Sequence, residues 1–342
     1  MKQVTIKDVA KVAGVSYATV SRALSGSPEI GEATRQRILK ICDEMGYTAN
    51  SVARSLVARQ TKIIGLIVGS VNNPFMSEIA YYLEEQVRNR GYNLMLCNSA
   101  NDLSQELETF RLLRGRQVDG IIIVPTNALT YERLKPYLSN MPTVFVSENL
   151  RDLPESYVTI DNTRGTYLGM EHLYALGHRK IVYFGRRIGS LTHQLRATGY
   201  ENACRDYGLE PHFVDSYQTS SAIHHGYKYA KEFFAQKQHE QFTAMLASTD
   251  TIALGIMQAA DEFGLSVPND FSLVGFDNIT YSSLPKINLT TIDQPKEAIA
   301  SVAIDMLLEK LRAPHIGYSH RIMMPSLIVR KSTAPIPVQD EA

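Results

Sequence analysis

The sequence predicts an α/β protein: an all-helical N-terminal domain followed by two lobes, each built on a doubly wound parallel β-sheet. Residues 1–47 contain three short amphipathic helical segments, and from residue 61 onward apolar runs typical of buried strands alternate with helical segments. The alternation begins a second time after residue 162. Because hydrophobic strands joined by helical crossovers are typical of parallel sheets covered on both faces, two consecutive series predict two lobes.

The N-terminal segments have the spacing of a helix-turn-helix. We expect helices at residues 5–13, 17–24 and about 32–45. Ala10 is small where two helices must cross closely, Gly14 suits the left-handed conformation of a tight turn, and Ser16 can cap the next helix. In a helix-turn-helix the second helix enters the DNA major groove. An ordinary helical hairpin is the alternative interpretation.

Short apolar runs mark the strands of the two lobes. The first series is KIIGLIVGS, NLMLCNSA, DGIIIVP and PTVFVSE, and the second is KIVYFG, HFVDSY, AMLAST and SLVGFDN. The C-terminal LTTIDQPK, a helix and RIMMPSLIVRKST return to complete both lobes. The expected divisions are a helix-turn-helix domain at 1–47, a hinge helix at 48–60, a core at 61–335 with lobe 1 at about 61–161 and 291–323 and lobe 2 at about 162–290 and 324–335, and a tail at 336–342.

The expected hinge helix lies in the segment ANSVARSLVARQT. Asn50 is a good N-cap, and Val52, Ala53 and Leu56 would lie on one face of a helix of about two turns. A helix this short is not stable alone in water. We expect it to order only when something packs against it.

Charge and composition limit the possible partners. The 342 residues have no formal net charge, yet residues 1–60 contain nine Lys and Arg against five Asp and Glu. This basic excess, about +4, is typical of a module that binds a polyanion. The three cysteines lie far apart, and neither they nor the histidines have the spacing of a zinc site. We expect no disulfide framework, no metal and no cofactor.

Localisation and catalysis are addressed by motifs that the sequence lacks. MKQVTIKDVA has no apolar signal region, and the longest apolar run, at 63–71, is less than half of the roughly 20 residues that span a bilayer. We therefore expect a cytoplasmic protein with no membrane partner. The sequence contains no G-x-S-x-G, no P-loop and no G-x-G-x-x-G after a strand, so we expect no enzyme and no catalytic residue.

Together these motifs resemble the lactose-repressor/galactose-repressor (LacI/GalR) family of bacterial transcription regulators. The matching segments are VTIKDVAKVAGVSYATVSRAL, NSVARSL, VDGIII, TIDN, ALGHRKI, STDTIALG, VPNDFSLVGFDN, LTTIDQP and LIVRKST, spread over nearly the whole chain. The resemblance implies two lobes of the type I periplasmic-binding-protein fold. It also implies a homodimeric repressor of a palindromic double-stranded DNA operator, controlled by a small effector such as a sugar or sugar derivative.

The resemblance places the base-reading side chains at the start of the second helix. Tyr17 offers a phenol donor and acceptor, Ala18 leaves room for a thymine methyl, and Arg22 can contact guanine or phosphate. The candidates for phosphate contacts are Thr5, Ser16, Thr19, Ser21 and Asn50. For Ser16, capping of the helix is an equally good interpretation.

In the hinge, Leu56 resembles the family's lever, an apolar wedge that enters the minor groove between base pairs and kinks the duplex. Val52 and Ala53 would lie beside it on the DNA-binding helix. The alternative is that Leu56 packs into the lobe below. Two wedges that meet at the centre of a palindrome require a dimer.

The effector site is expected in the cleft at the carboxyl ends of the strands. Arg196, Asp250 and Asp277 match family positions that bind effector, and an arginine with two carboxylates can bind several sugar hydroxyls. The further candidates are Phe75, Ser147, Asp161, Asn162, Ser190, Thr192, Thr249 and Gln294. Asp250 can equally be a helix cap. Several sugar-binding relatives carry Asn where this chain has Thr249.

Two pairs of neighbouring residues have alternative interpretations. Arg186 and Arg187 could accept a phosphate at the mouth of the cleft or lie in a solvated loop. His224 and His225 adjoin on a helix, where neighbouring side chains point apart, so we expect them on the surface.

Two other functions are possible from the same sequence. Catabolite-control relatives use a phosphorylated carrier protein and have a Tyr-Asp pair after the QP and an Arg on the next helix. Here Glu297, Ala298 and Asp305 occupy those positions, and an acid would repel a phosphoserine. A free-standing solute-binding protein shares the two-lobed fold, but the helix-turn-helix and the missing signal region disfavour it.

Overall fold

The computed structural model describes residues 4–25, 27–47, 60–125, 129–147, 154–187, 189–216, 222–313 and 315–336. The chain forms two compact units, residues 1–61 and 62–342, which are described separately. Asn50, Val52, Ala53 and Leu56 of the expected hinge lie outside the described residues, as does the expected tail beyond Ile336.

The first unit is a helical domain. Its described helices are α1 (Ile6–Ala13), α2 (Tyr17–Leu24) and α3 (Glu32–Glu44). Gly14 follows α1 at φ 64°, in the left-handed region where glycine has no Cβ penalty. Val9, Val20 and Ile38, one from each helix, are fully buried in a common core. The helices lie within about a residue of their expected bounds, because caps and apolar spacing are local signals.

The first sheet of the second unit is parallel throughout its described strands. These are β1 (Ile63–Val68), β2 (Asn93–Asn98), β3 (Gly120–Ile123), β4 (Thr143–Val146), β5 (Ser156–Ile160) and β11 (His320–Met323), in the order β11-β5-β4-β3-β1-β2. The accompanying helices are α4 (Pro74–Asn89), α5 (Leu103–Gly115), α6 (Thr130–Leu138) and α11 (Lys296–Arg312). Leu66 and Ile67 belong to different apolar clusters, so both faces of this sheet are covered.

The second sheet has the order β12-β10-β9-β8-β6-β7 and is parallel except between β10 and β12. Its strands are β6 (Ile181–Arg187), β7 (His212–Ser216), β8 (Ala244–Ala247), β9 (Ser272–Asp277), β10 (Thr290–Asp293) and β12 (Ser326–Ile328). The accompanying helices are α7 (Asn162–Ala175), α8 (Leu191–Tyr207), α9 (Ile223–Ala235) and α10 (Asp250–Glu262), with 3₁₀ helices at Gln238–Gln241 and Thr280–Ser283. The predicted α/β fold class is confirmed. Within the described ranges no helix is both long and apolar enough to cross a bilayer.

One expected boundary between the lobes differs from the structure. We expected residues 291–323 in lobe 1, but β10 pairs with β9 and β12 in the second sheet. Thr291 lies in register with Gly275, and Ile292 with Phe276. The chain then crosses to lobe 1, where α11 packs on α4 and on β3, β4 and β5. A short apolar strand fits either sheet, and only long-range pairing selects one of them.

A buried histidine holds the C-terminal part of the described chain against lobe 2. The Nδ1 atom of His178 lies 2.9 Å from Thr243 Oγ1. Its Nε2 atom lies 3.0 Å from Ser272 Oγ and 3.1 Å from the Ala334 carbonyl oxygen. Burial lowers the pKa of this imidazole, and the Ala334 carbonyl partly opposes that effect. The folded protein therefore favours neutral His178.

We expect His178→Gln to reduce the loss of stability on acidification. Above pH 6.5, the ordinary pKa, His178 is neutral in both states. Below it, the unfolded chain binds the proton more readily, so the folded state loses up to about 1.4 kcal/mol per pH unit until its own lowered pKa is reached. Urea unfolding of both proteins at about pH 7.5 and about pH 5 measures this difference, and the variant should gain relative to wild type at the lower pH. A difference that does not change with pH would contradict the prediction.

Candidate functional site

The outer face of α2 carries the expected base-reading residues. Val20 is buried in the domain core, whereas Tyr17 on the opposite side is 63% exposed. Ala18 is half-buried beside it, and Arg22 is exposed. The Arg22 Nε atom lies 3.4 Å from Glu29 Oε2. Because this ion pair is exposed, solvent weakens it, and Arg22 can exchange Glu29 for a phosphate or a guanine.

The hydroxyl groups expected to contact phosphates have local partners. Ser16 Oγ accepts the backbone N–H of Thr19 at 3.1 Å, so Ser16 caps α2. Thr19 Oγ1 lies 2.9 Å from the same oxygen. Thr5 Oγ1 donates to Asp8 Oδ2 at 2.6 Å within a capping box on α1. Ser21 is exposed on α2. Ser16 and Thr5 thus fix the N-termini of the two helices of the motif.

In the second unit, a cleft of about 740 Å³ opens at the carboxyl ends of strands from both sheets. The predicted effector residues that line it are Phe75, Ser147, Ser190, Thr192, Arg196, Thr249 and Asp277. They meet because the carboxyl ends of parallel strands lie at one edge of each sheet. The Thr192 hydroxyl donates to the Ser147 carbonyl oxygen at 2.9 Å and joins the two lobes across the cleft. A cleft of this volume suits a small molecule.

Arg196 lines the cleft although it is only 4% exposed. Its Nε donates to Asn162 Oδ1 at 2.9 Å, and its Nη1 donates to the Ser248 carbonyl oxygen at 2.7 Å. Nη1 also lies 3.3 Å from Asp277 Oδ1. The guanidinium carbon lies 3.6 Å from the centroid of the Phe276 ring. These contacts fix the guanidinium plane and use Nε and Nη1, while no described residue accepts a hydrogen bond from Nη2.

Asp277 is the partner of Arg196 at the end of β9. Its backbone has φ 119°, outside the region that residues with a Cβ normally adopt. The Gln294 side-chain amide donates to Oδ1 at 2.7 Å, and Lys296 Nζ donates to the Asp277 carbonyl oxygen at 2.9 Å. Burial raises the pKa of Asp277 to about 7, and the charge of Arg196 opposes this rise. Near neutral pH, this carboxyl group can therefore accept or donate a hydrogen bond.

Three predicted effector residues lie beside the cleft without lining it. Asn162 and Gln294 hold the buried Arg196–Asp277 pair in position through the hydrogen bonds described above. Asp161 caps α7, its Oδ1 accepting the backbone N–H of Arg164 at 2.8 Å. These residues position the pair and the helix behind it.

Asp250 contributes neither to the cleft lining nor to the helix cap. Thr249 caps α10, and Asp250 is the first residue of that helix. The carboxylate of Asp250 is fully buried. It accepts hydrogen bonds from the backbone N–H of Ile279 at 2.9 Å and from the hydroxyls of Ser282 and Thr291 at 2.6 and 2.5 Å. Both interpretations of this residue were wrong, because those partners lie far along the chain and draw the carboxylate away from the cleft.

Several cleft residues were not predicted from the sequence. They are Ser70, Asn72, Asn73, Asn101, His193, Tyr227, Gln258 and Tyr281. Asn72 and His193 follow strands directly, and that position is a signal that could have identified them. Tyr227 and Gln258 lie further along α9 and α10, where nothing in the sequence distinguishes them from surface residues.

The two neighbouring pairs are also resolved by the structure. His224 is exposed, as expected, but it lines the cleft, and its ring centroid lies only 3.9 Å from that of His225. Arg187 lines the cleft, whereas Arg186 Nε donates to Asp215 Oδ1 at 2.6 Å. The adjacent arginines therefore have different surroundings.

A second groove, of about 800 Å³, lies where α4 and α11 approach the segments after β9 and β10. Its walls include Glu78, Glu297 and Ala298. Lys296 and Arg330 also line it, and both donate to backbone carbonyl oxygens of the protein. The groove thus presents acidic side chains beside cations that already have hydrogen-bond partners.

The helix-turn-helix and the two-lobed cleft define a class of protein, a DNA-binding regulator that responds to a small molecule. Residues 5–50 match the family of bacterial regulatory proteins, lacI family, and residues 170–333 match the periplasmic binding protein-like domain. The chain belongs to the lacI family of bacterial transcription regulators.

Relatives match over almost the full length. The ribose operon repressor of Haemophilus influenzae is 30% identical, over 96% of this chain and 98% of the relative. Catabolite control protein A of Priestia megaterium is 33% identical, over 93% and 97%. The lac repressor dimer bound to operator and the anti-inducer ONPF has a TM-score of 0.85 and 28% identity, over 97% of this chain and 100% of that one. These relatives are regulators and not enzymes.

Proposed function

We propose that this regulator is a homodimeric repressor that binds a palindromic operator in the cytoplasm and releases or tightens its hold when a sugar or sugar derivative enters the cleft. The observation that carries the proposal is the buried Arg196–Asp277 pair, which lines a cleft in a chain that also has a helix-turn-helix. A buried ion pair held by four further groups is costly to assemble and is typical of a binding site.

The pair has the chemistry to bind neighbouring hydroxyl groups. Arg196 Nη2 can donate, while Asp277 Oδ2 can accept, so two hydroxyls on adjacent sugar carbons can bridge them. Phe75, only 8% exposed, supplies an apolar wall on the lobe 1 side of the cleft. Polar groups on one side of a ligand and an aromatic ring on another are typical of small-molecule sites.

Effector binding would change the relation between the lobes. The Thr192–Ser147 hydrogen bond joins the lobes at the cleft, and a ligand that bridges both walls favours one interlobe geometry. In our proposal this change reaches the DNA through the hinge that contains Leu56. The coupling is reciprocal, so operator DNA should change effector affinity by the same factor.

The DNA-binding role is tested with Tyr17→Ala and a matched control, Val12→Ala. Both side chains are exposed, 63% and 61%, but only Tyr17 lies on α2. An operator is selected from random duplex DNA with the full-length protein. We expect Tyr17→Ala to weaken operator binding by about 1–3 kcal/mol, comparable to one mismatched base pair, and to leave binding to random DNA nearly unchanged. Equal losses on both DNAs, or equal losses in both variants, would remove Tyr17 from base recognition.

The two alternatives are disfavoured by specific residues. A phosphorylated carrier protein would have to approach the second groove, where Glu297 carries a negative charge and Asp305 pairs with Arg90 at 2.7 Å. Those carboxylates repel a phosphoserine. A free-standing solute-binding protein has no use for the helix-turn-helix at residues 5–24.

A further inference from the structure

Charge is unevenly distributed over the walls of the effector cleft. Among the described residues that line it, the ionisable side chains other than tyrosines are Arg187, His193, Arg196, His224 and Asp277. Two arginines thus stand against one carboxylate in that described lining. Since Asp277 already neutralises Arg196 at 3.3 Å, the wall near Arg187 is positive at neutral pH.

The adjacent arginines of β6 show which charge belongs to the cleft. Arg186 is bound to Asp215 through two hydrogen bonds, of 2.6 and 3.1 Å, and its guanidinium lies 4.0 Å from the centroid of the Phe213 ring. Asp215 therefore neutralises it. Arg187 is the next residue, and successive side chains of a strand point to opposite faces, so Arg187 extends into the cleft instead.

His193 shows that this charge acts inside the cleft. His193 is 7% exposed in the first turn of α8 and lines the cleft. Its pKa is lowered well below the ordinary value, first by burial and then by the charges of Arg187 and Arg196. The neutral imidazole can hydrogen-bond a ligand without adding a competing charge.

The backbone adds to the positive potential. Helices α4, α8, α9 and α10 all begin at the cleft, where residues of their first turns line it. Helix N-termini carry partial positive charge and favour anions. Asn73, Ser190 and Thr249 cap three of these helices with their side chains, whereas α9 starts at Ala222, which has no side-chain cap. His224 stands in that first turn of α9.

We propose that the effector is an anionic sugar derivative, with a phosphate or carboxylate group at the Arg187 and His224 end of the cleft and hydroxyl groups on the Arg196–Asp277 pair. This inference rests on the proposed function and narrows its ligand class. A cleft of about 740 Å³ has room for both parts of such a molecule. A single anion compensates the Arg187 charge, which a neutral sugar leaves in place.

The test uses isothermal titration calorimetry on the full-length protein with matched ligands. The panel consists of glucose, glucose 6-phosphate and glucuronate; ribose and ribose 5-phosphate; and inorganic phosphate alone. We expect one anionic sugar to bind at least about tenfold more tightly than its neutral twin, with an affinity that falls as salt is added. The phosphate and uronate arms distinguish the two kinds of anionic group.

Arg187→Gln should weaken the anionic ligand about 10- to 100-fold and erase its advantage over the neutral twin. Arg186→Gln is the matched control, and it should keep that advantage because Arg186 binds Asp215. If Arg187→Gln folds poorly, the salt dependence of the wild-type protein still decides the matter.

Three outcomes would overturn the inference. A neutral sugar that binds as tightly as its anionic twin refutes the anionic effector and leaves the proposed function intact. Equal losses in the Arg187 and Arg186 variants refute the assignment of the anion to Arg187. Binding by no sugar on the panel contradicts both the anionic sugar and the proposed sugar effector, while the Tyr17 experiment separately decides the DNA-binding role.

Discussion

Replacing Arg196 by methionine will lower the free energy of unfolding by about 3–5 kcal/mol, because it leaves the buried Asp277 carboxyl group without its cationic partner. The same change will weaken effector binding about 10- to 100-fold, since it removes a charged hydrogen-bond donor from the cleft. Operator binding in the absence of effector should hardly change. The expected protein is a repressor that binds its operator and no longer responds to its ligand.

The loss of stability should grow with pH. A carboxyl group whose pKa is raised in the folded state contributes stability at low pH that is lost as pH rises through the folded value. For wild-type Asp277 that value is about 7, and without Arg196 it moves higher. At about pH 6 the carboxyl group is largely protonated in both proteins, whereas at about pH 8.5 only the variant lacks a compensating charge.

Urea unfolding and calorimetry with the effector identified above measure the two effects. Arg205→Met is the control, because Arg205 lies on the same helix with 71% of its side chain exposed and should cost under about 1 kcal/mol. Adding Asp277→Asn to the Arg196 variant should recover part of the stability, since it removes the unpaired acid. An unchanged dissociation constant in Arg196→Met would exclude Arg196 from the effector site.

Replacing Lys296 by methionine will destabilise the two-lobed unit by about 3 kcal/mol, the cost of breaking a largely buried ion pair. Lys296 begins α11 of lobe 1 and is 8% exposed. Its Nζ donates to the carbonyl oxygens of Asp277 and Asn278 at 2.9 and 2.7 Å and lies 3.3 Å from Glu78 Oε2. Glu78 also accepts the backbone N–H of Thr280 at 2.7 Å. The methionine leaves these acceptors with one donor fewer.

We also expect Lys296→Met to weaken effector binding, although Lys296 does not line the cleft. Its hydrogen bonds hold the backbone of Asp277 at an unfavourable φ, and without them the carboxyl group can move away from Arg196. Lys296 is thus a positioning residue that links lobe 1 to the effector-binding carboxyl group.

The measurements are urea unfolding and effector titration, with Lys286→Met, at an exposed lysine in the same lobe as Asp277, as control. A double variant, Lys296→Met with Glu78→Gln, should lose less stability than the sum of the single changes, because Glu78 then has no charge to leave unpaired. Additive losses and an unchanged effector affinity would show that Lys296 only packs α11.

The sequence by itself determined the elements and the class of protein. Apolar periodicity, Gly14 and Ser16 defined the helix-turn-helix, because a cap or a tight turn depends on a few adjacent residues. Continuous apolar runs defined the strands of both lobes. Arg196 and Asp277 were identified because they match family positions close to strand ends, and such ends meet at the cleft.

Only the tertiary structure decided which side chains meet. Asp250 has the same kind of position as Asp277, yet Ser282 and Thr291 bind its carboxylate away from the cleft. The sheet that receives β10, the separation of Arg186 from Arg187, and the partners of Lys296 were likewise decided there. Each depends on hydrogen bonds or charges between residues distant in sequence, and local periodicity, which reports the face of an element, does not report what lies opposite that face.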